Sequence, residues 1–283
     1  MAGVFTSFNS LHALGNWSDQ LPDTELMPVL FLGHGSPMNA IEENQFVRGF
    51  QHAATTLPKP VAILCVSAHW FTRGTMVTAM EQPRTIHDFG GFPKALFDVQ
   101  YPAKGHPQLA AETRTLLGEQ LVSADTQWGL DHGAWTVIMH LFPKADVPVI
   151  QLSIDYTKPP AWHFELASRL HVLRKKGVLI LGSGNIVHNL SLVDFANINR
   201  EDYGYDWARE ARATINDRIL AHDFEAILTY PKLGRAVQLA APSPDHFLPL
   251  VYALGLSGKN EPLHFFNDQM VGGSLSMTSL RIG

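Results

Sequence analysis

The chain of 283 residues is 46% hydrophobic and 17% charged, enough apolar material for a large core in one domain or two small ones. Its formal net charge is -5, and beyond Arg174-Lys175-Lys176 it has no Lys/Arg cluster, so the basic stripe that neutralises phosphates is missing and small-molecule chemistry is favoured over nucleic acid. No apolar run reaches the roughly 18 residues of a membrane span, the first 27 residues lack a basic segment followed by a continuous apolar one, and a single cysteine excludes an internal disulfide; a cytoplasmic protein with no membrane partner is expected.

Residues 1–27 mix Ser, Asn, Asp and Gly with scattered apolar residues and read as a partly ordered N-terminal extension of unassigned role. From residue 28 to 283 no linker, repeat or low-complexity stretch interrupts the pattern, which predicts one domain. Val29 to Leu32 is the first apolar run with strand character, and it opens into Gly33-His34-Gly35-Ser36-Pro37. A helical pattern over Glu42 to Leu57 follows. The next strand, Val61 to Ser67, holds Cys65 as a small buried hydrophobe and leads into Ser67-Ala68-His69-Trp70.

Thr85 to Pro93 breaks the alternation: a Gly pair, aromatics and a His-Asp dyad suit a pocket wall or lid, with His87, Phe89 and Phe92 as substrate contacts. After a helical pattern at His106 to Glu119 comes Trp128-Gly129-Leu130-Asp131-His132-Gly133. Here Asp131 can cap a helix over Ala134 to Leu141, which leaves His132 at its start as a catalytic candidate. Val147 to Ile154 and Val178 to Leu181 read as strands, separated by one helix from Pro160 to Lys176 that ends in a basic turn before Gly177. The second of these strands runs into Gly182-Ser183-Gly184-Asn185-Ile186-Val187-His188-Asn189. Helices are expected at Asp202 to His222 and around Asp245 to Leu254, the latter entered through Pro242-Ser243-Pro244-Asp245-His246. Leu263 to Phe266 and Gly273 to Ile282 look like late antiparallel or edge strands. The alternation predicts an α/β domain: a central, mostly parallel sheet flanked by helices, with a metal site at the strand ends.

Four of the fourteen histidines, His34, His69, His188 and His246, lie in such turn-forming segments, where backbone can approach a ligand closely and strand-end loops build sites. Asp245 is a fallback carboxylate beside His246. By contrast His12, His52, His106, His163, His171 and His222 lie in the polar leader or in helical stretches and read as surface or packing residues. The dispersed spacing excludes the short signatures of zinc fingers and HExxH proteases, so only the fold can assemble the site. Three ligands with an open position would support a bound water, a substrate oxygen or dioxygen, whereas a closed set of four would be structural.

Taken in order, these motifs, with Ile86-His87-Asp88-Phe89-Gly90-Gly91-Phe92-Pro93, Asp131-His132-Gly133 and Pro244-Asp245-His246-Phe247-Leu248-Pro249-Leu250, resemble those of the class III extradiol ring-cleaving dioxygenases of the LigB-like superfamily. The resemblance runs from about Pro28 to Gly283 and leaves the leader outside. It implies cleavage of an L-DOPA-like catechol next to its diol, with dioxygen and one divalent metal per chain as further participants. His34 and His69 match metal ligands, His246 takes the third-ligand position, and His188 matches a histidine that serves as acid/base or as fourth ligand. Relatives with a facial triad carry a carboxylate where His246 stands, so this neutral set suits Zn(II) as well as the Fe(II) that ring cleavage needs. A zinc hydrolase using the same ligands, and a non-catalytic metal-binding relative, are the alternative readings.

Overall fold

The computed structural model describes residues 17–283; His12 and the other positions from 1 to 16 lie outside it. Ten strands form in chain order: β1 (Val29–Gly33), β2 (Ala62–Thr72), β3 (Thr75–Thr78), β4 (Val122–Asp125), β5 (Val149–Asp155), β6 (Val178–Gly184), β7 (Leu263–Phe266), β8 (Met270–Val271), β9 (Leu275–Ser276) and β10 (Ser279–Ile282). Eight of them make one sheet in the order β4-β3-β5-β2-β6-β1-β10-β7, and β8 pairs with β9. The centre, β5-β2-β6-β1, is parallel. β10 and β7 add antiparallel strands at one edge, while β3 meets β5 antiparallel at the other. The expected α/β architecture is present.

The central strands are mostly apolar and buried because both faces of the sheet are covered. Side chains alternate between the faces with the strand period of two. Phe31, Leu64, Ile150 and Ile180 enter one core, and Leu30, Ile63, Val149 and Leu179 the other. Helices Gln45–Thr55 and His132–Leu141 cover the second face, and Pro107–Leu117, Pro160–Ser168, Asp206–Leu220 and Leu248–Gly255 cover the first. Burying each Leu, Ile or Phe of these cores contributes about 1.5–3 kcal/mol before entropy is subtracted. No helix among the described residues is long and apolar enough to cross a membrane.

Two expectations need correction. The single helix predicted from Pro160 to Lys176 is broken into Pro160–Ser168 and His171–Arg174. Ser168 Oγ donates to the Glu165 carbonyl, and Arg169, Leu170 and Leu173 donate three residues back, which tightens the chain into a turn. The last predicted strand, Gly273 to Ile282, is likewise divided, β9 with Met277 pairing with β8 and Gln269 in a separate two-stranded sheet, and β10 joining the main sheet. Three short strands, β3, β4 and β8, were not expected.

Arg174 is fully buried and closes the base of the domain: its guanidinium donates to Glu261, Leu256 O and Met27 O. Around it residues 17–27 dock on the domain, with Met27 N donating to Arg174 O at 3.0 Å and Lys176 pairing with Asp23 at 2.8 Å.

His163, on helix Pro160–Ser168, has no exposed surface and shares a 2.9 Å hydrogen bond with Tyr252 Oη. Burial pushes its imidazole down to about 4, against the opposing charge of Asp155. Below the ordinary imidazole value of about 6.5 the unfolded chain takes up a proton here that the folded chain refuses. The unfolded state then binds more protons, so stability rises with pH. Folding stability is therefore expected to fall between pH 6.5 and 4, by up to about 1.4 kcal/mol per pH unit for this one proton. Denaturant midpoints across that range check it, and His163→Asn should flatten the decline.

Candidate metal centre

The histidines converge where the parallel strands end. His34 follows β1 directly, with its amide bonded to Gly184 O at 3.2 Å and the chain turning through Gly35 at φ 61°. A side chain at Gly33 would put a Cβ 2.6 Å from the Met277 carbonyl group, so only glycine lets β1 deliver His34 past that backbone. β2 carries His69 at an irregularity: Val66 pairs with Leu152, and the next paired residue, Phe71, meets Ile154, so residues 67–70 bulge from the ladder. After β6, His188 is held by its amide on Ala240 O, and the His246 carbonyl accepts from Asn185 N, both at 2.8 Å. His132 begins its helix behind the Asp131 cap, as expected, with Asp131 Oδ1 accepting from Ala134 N. Ser67, Trp128 and Gln151 also donate to that carboxylate.

One ring nitrogen from each of His34, His69 and His132 lies within 4.8 Å of the others. His34 Nε2 and His69 Nε2 are 3.2 Å apart. The His246 ring centre is 5.2 Å from that of His34 and 5.1 Å from that of His69, and His188 stacks on His246 at 3.4 Å and 7°. Five imidazoles thus share one site, among them all four histidines marked by their turns.

Hydrogen bonds to Nδ1 orient four of the rings. The Ser183 hydroxyl gives its proton to Gly133 O, so it accepts from His34 Nδ1 at 3.0 Å and leaves His34 Nε2 with a bare lone pair. His246 Nδ1 donates to Asp245 Oδ2 at 2.6 Å. His132 Nδ1 and His69 Nδ1 face the two oxygens of Asp88, at 2.9 and 3.3 Å. Nδ1 bound outward to an oxygen, with Nε2 inward, is the arrangement that orients histidine on a metal.

Charge follows the same pattern. Burial, reinforced by the neighbouring imidazoles, holds His34 well below its ordinary value; burial and His246 push His188 down to about 3. Burial also lowers His246, although Asp245 opposes it. For His69 burial is outweighed by the hydrogen bond to Asp88 and the charges of Asp131, Asp88 and Asp245, so its value is raised. A proton on His69 Nε2 satisfies the His34 lone pair 3.2 Å away, and a cation between them would displace it. The uncharged imidazoles of His34 and His246, with His69 once that proton is displaced, fit a divalent metal.

The centre opens into a cleft of about 940 Å³. Phe89 and Phe92 form part of one wall, packed edge to face, and Leu190, Val193, Phe195 and Ile198 form part of another. His87 stands apart from the lining: its Nε2 bonds to Val99 O at 2.9 Å, and its ring packs on Phe89 and Trp135. Its neighbour Asp88 faces the centre instead. Sequence reading grouped the two as a dyad and carried no signal for Asp88 as the anchor of two rings, nor for Ser183. Gly133 lies against the site as well, since a Cβ there would meet Ser67 Oγ at 2.6 Å and His69 Cδ2 at 2.7 Å. Gly133→Ala is expected to displace the His69 ring and weaken metal binding roughly ten- to a hundredfold, the scale of outer-shell losses, as read by competition with a chelating indicator.

A family model for the catalytic LigB subunit of aromatic ring-opening dioxygenase matches residues 28–274. Over 272 residues the chain is 46% identical to 4,5-DOPA dioxygenase extradiol of Escherichia coli (strain K12), covering 94% of this chain and 98% of that protein. It is 33% identical over 266 residues to 4,5-DOPA dioxygenase extradiol of Beta vulgaris, covering 92% and 97%. The crystal structure of an uncharacterized protein from Escherichia coli K12 matches with a TM-score of 0.78 at 41% identity, covering 91% of this chain and all of that one.

Proposed function

Because this chain belongs to the LigB family of aromatic ring-opening dioxygenases, we propose that its cleft cleaves a catechol ring beside the diol, with dioxygen as co-substrate and L-DOPA among its substrates. The observation that carries this reading is the set of imidazoles that line one cleft with their Nδ1 atoms bound to oxygens, His34 and His69 turning their Nε2 atoms to each other. His34, His69 and His246 would hold the metal. Fe(II), when bound, supplies the redox capacity and Lewis acidity that ring cleavage by dioxygen requires, which Zn(II) lacks on the redox side.

His188, uncharged at neutral pH, would accept a phenolic proton, and His132, held by Asp88, would be the second proton carrier. His188, which stacks against His246, and His132, whose ring nitrogen lies within 4.8 Å of those of His34 and His69, are the candidates for a fourth ligand. Phe89 and Phe92, in the cleft wall, would pack the substrate ring. The single buried thiol, Cys65, fits a reducing cytoplasmic setting.

Oxygen-electrode traces with a catechol panel test the proposal. Protein reconstituted anaerobically with Fe(II) should take up oxygen and give a yellow ring-opened semialdehyde, and zinc-loaded protein should do neither. Ester or amide turnover with zinc, and no uptake with iron, would replace this reading with a hydrolase.

A further inference from the structure

Asp88 lies in the loop before helix Lys94–Phe97, yet its side chain meets two of the five site histidines. Its Oδ1 accepts from both the backbone N and Nδ1 of His132, each at 2.9 Å, and its Oδ2 faces His69 Nδ1 at 3.3 Å. The Asp88 side chain is only 20% exposed, and those of His132 and His69 are 8% and 19% exposed. From this geometry we infer that Asp88 is a positioning residue that sets the orientation and tautomer of His69 and His132 together, through one carboxylate shared between a ligand candidate and a proton carrier.

The argument is one of donors and acceptors. A carboxylate is acceptor-only, so it can take all three N–H groups that face it. An amide cannot. In Asp88→Asn the His132 backbone N–H remains a donor whatever the side chain does, so the amide oxygen must stay toward His132. The amide NH2 then faces His69 Nδ1. That nitrogen can meet it only as an acceptor, which moves the His69 proton to Nε2, the atom that faces His34. One substitution of equal size therefore disables the His69 lone pair toward the centre and leaves His132 in place. The inference rests on the reading of this centre as a metal site.

The test uses full-length protein. Zn(II) affinity is measured by competition with a chelating indicator, and histidine tautomers by nitrogen-15 spectra of the metal-free protein near pH 8. Asp88→Asn should keep the wild-type circular dichroism and bind Zn(II) ten- to a hundredfold more weakly. Its His69 should lose the Nδ1 proton, and its His132 should keep the wild-type tautomer. Asp88→Ala, which frees both rings, should lose at least as much affinity. Zn(II) affinity within twofold of wild type in both variants, or an unchanged His69 tautomer in Asp88→Asn, would overturn the inference. So would loss of fold in both, which would place Asp88 among the structural residues. If wild-type protein binds no metal, the reading of the centre fails, and the tautomer spectra still decide the role of Asp88.

Discussion

His34→Ala is expected to abolish stoichiometric metal binding while leaving the domain folded. The His34 ring is 2% exposed, its Nδ1 is fixed by Ser183, and its Nε2 faces His69. No other side chain can supply that nitrogen at the end of β1, and the loss should exceed the roughly hundredfold that follows removal of an outer-shell partner. The fold should survive because the two cores on either side of the sheet form without the ring. His69→Ala should behave in the same way. Elemental analysis with parallel denaturation curves gives the result, and full occupancy in either variant would remove that residue from the ligand set.

The second large effect is expected at His188. Its ring lies parallel to His246 at 3.4 Å, and burial with the neighbouring His246 leaves it uncharged at neutral pH, free to take a phenolic proton once the developing catecholate charge beside it raises its basicity. His188→Gln retains polarity and approximate size but cannot exchange that proton. The expected outcome is metal and catechol binding close to wild type, with kcat lower by roughly a hundredfold or more, the scale of general acid/base contributions. Loss of metal in this variant would make His188 a ligand. Unchanged turnover would remove both roles.

Much of this architecture is legible in the sequence because fully buried parallel strands are continuous apolar runs. β1, β6 and the first half of β2 declare themselves that way, and β5 does so despite Gln151 and Ser153. β3 and β4 do not: each has four residues, and Val122–Asp125 is a Val-Ser-Ala-Asp edge strand with two exposed positions. The break near Ser168 depends on one side-chain bond within an otherwise helical pattern. Glycine- and proline-bounded turns marked His34, His188 and His246 one by one, and a short apolar strand led into His69. Their mutual distances were beyond sequence reasoning, because strands far apart in the chain are brought together only by the sheet order. The contrast between His87 and Asp88 is the sharpest case. Adjacent residues in one loop diverge, the histidine toward Val99 O and the carboxylate toward the centre, and nothing in their local sequence distinguishes them.

The central claim, that this cleft performs ring cleavage with dioxygen, is tested most directly by isotope incorporation. Protein loaded with Fe(II) is given L-DOPA under 18O2, and the ring-opened product is trapped and weighed by mass spectrometry. Both heavy oxygen atoms should appear in the product, apart from exchange of the aldehyde oxygen with water, which is removed by immediate reduction. A product that carries no heavy oxygen, or that keeps its aromatic ring, would contradict the account.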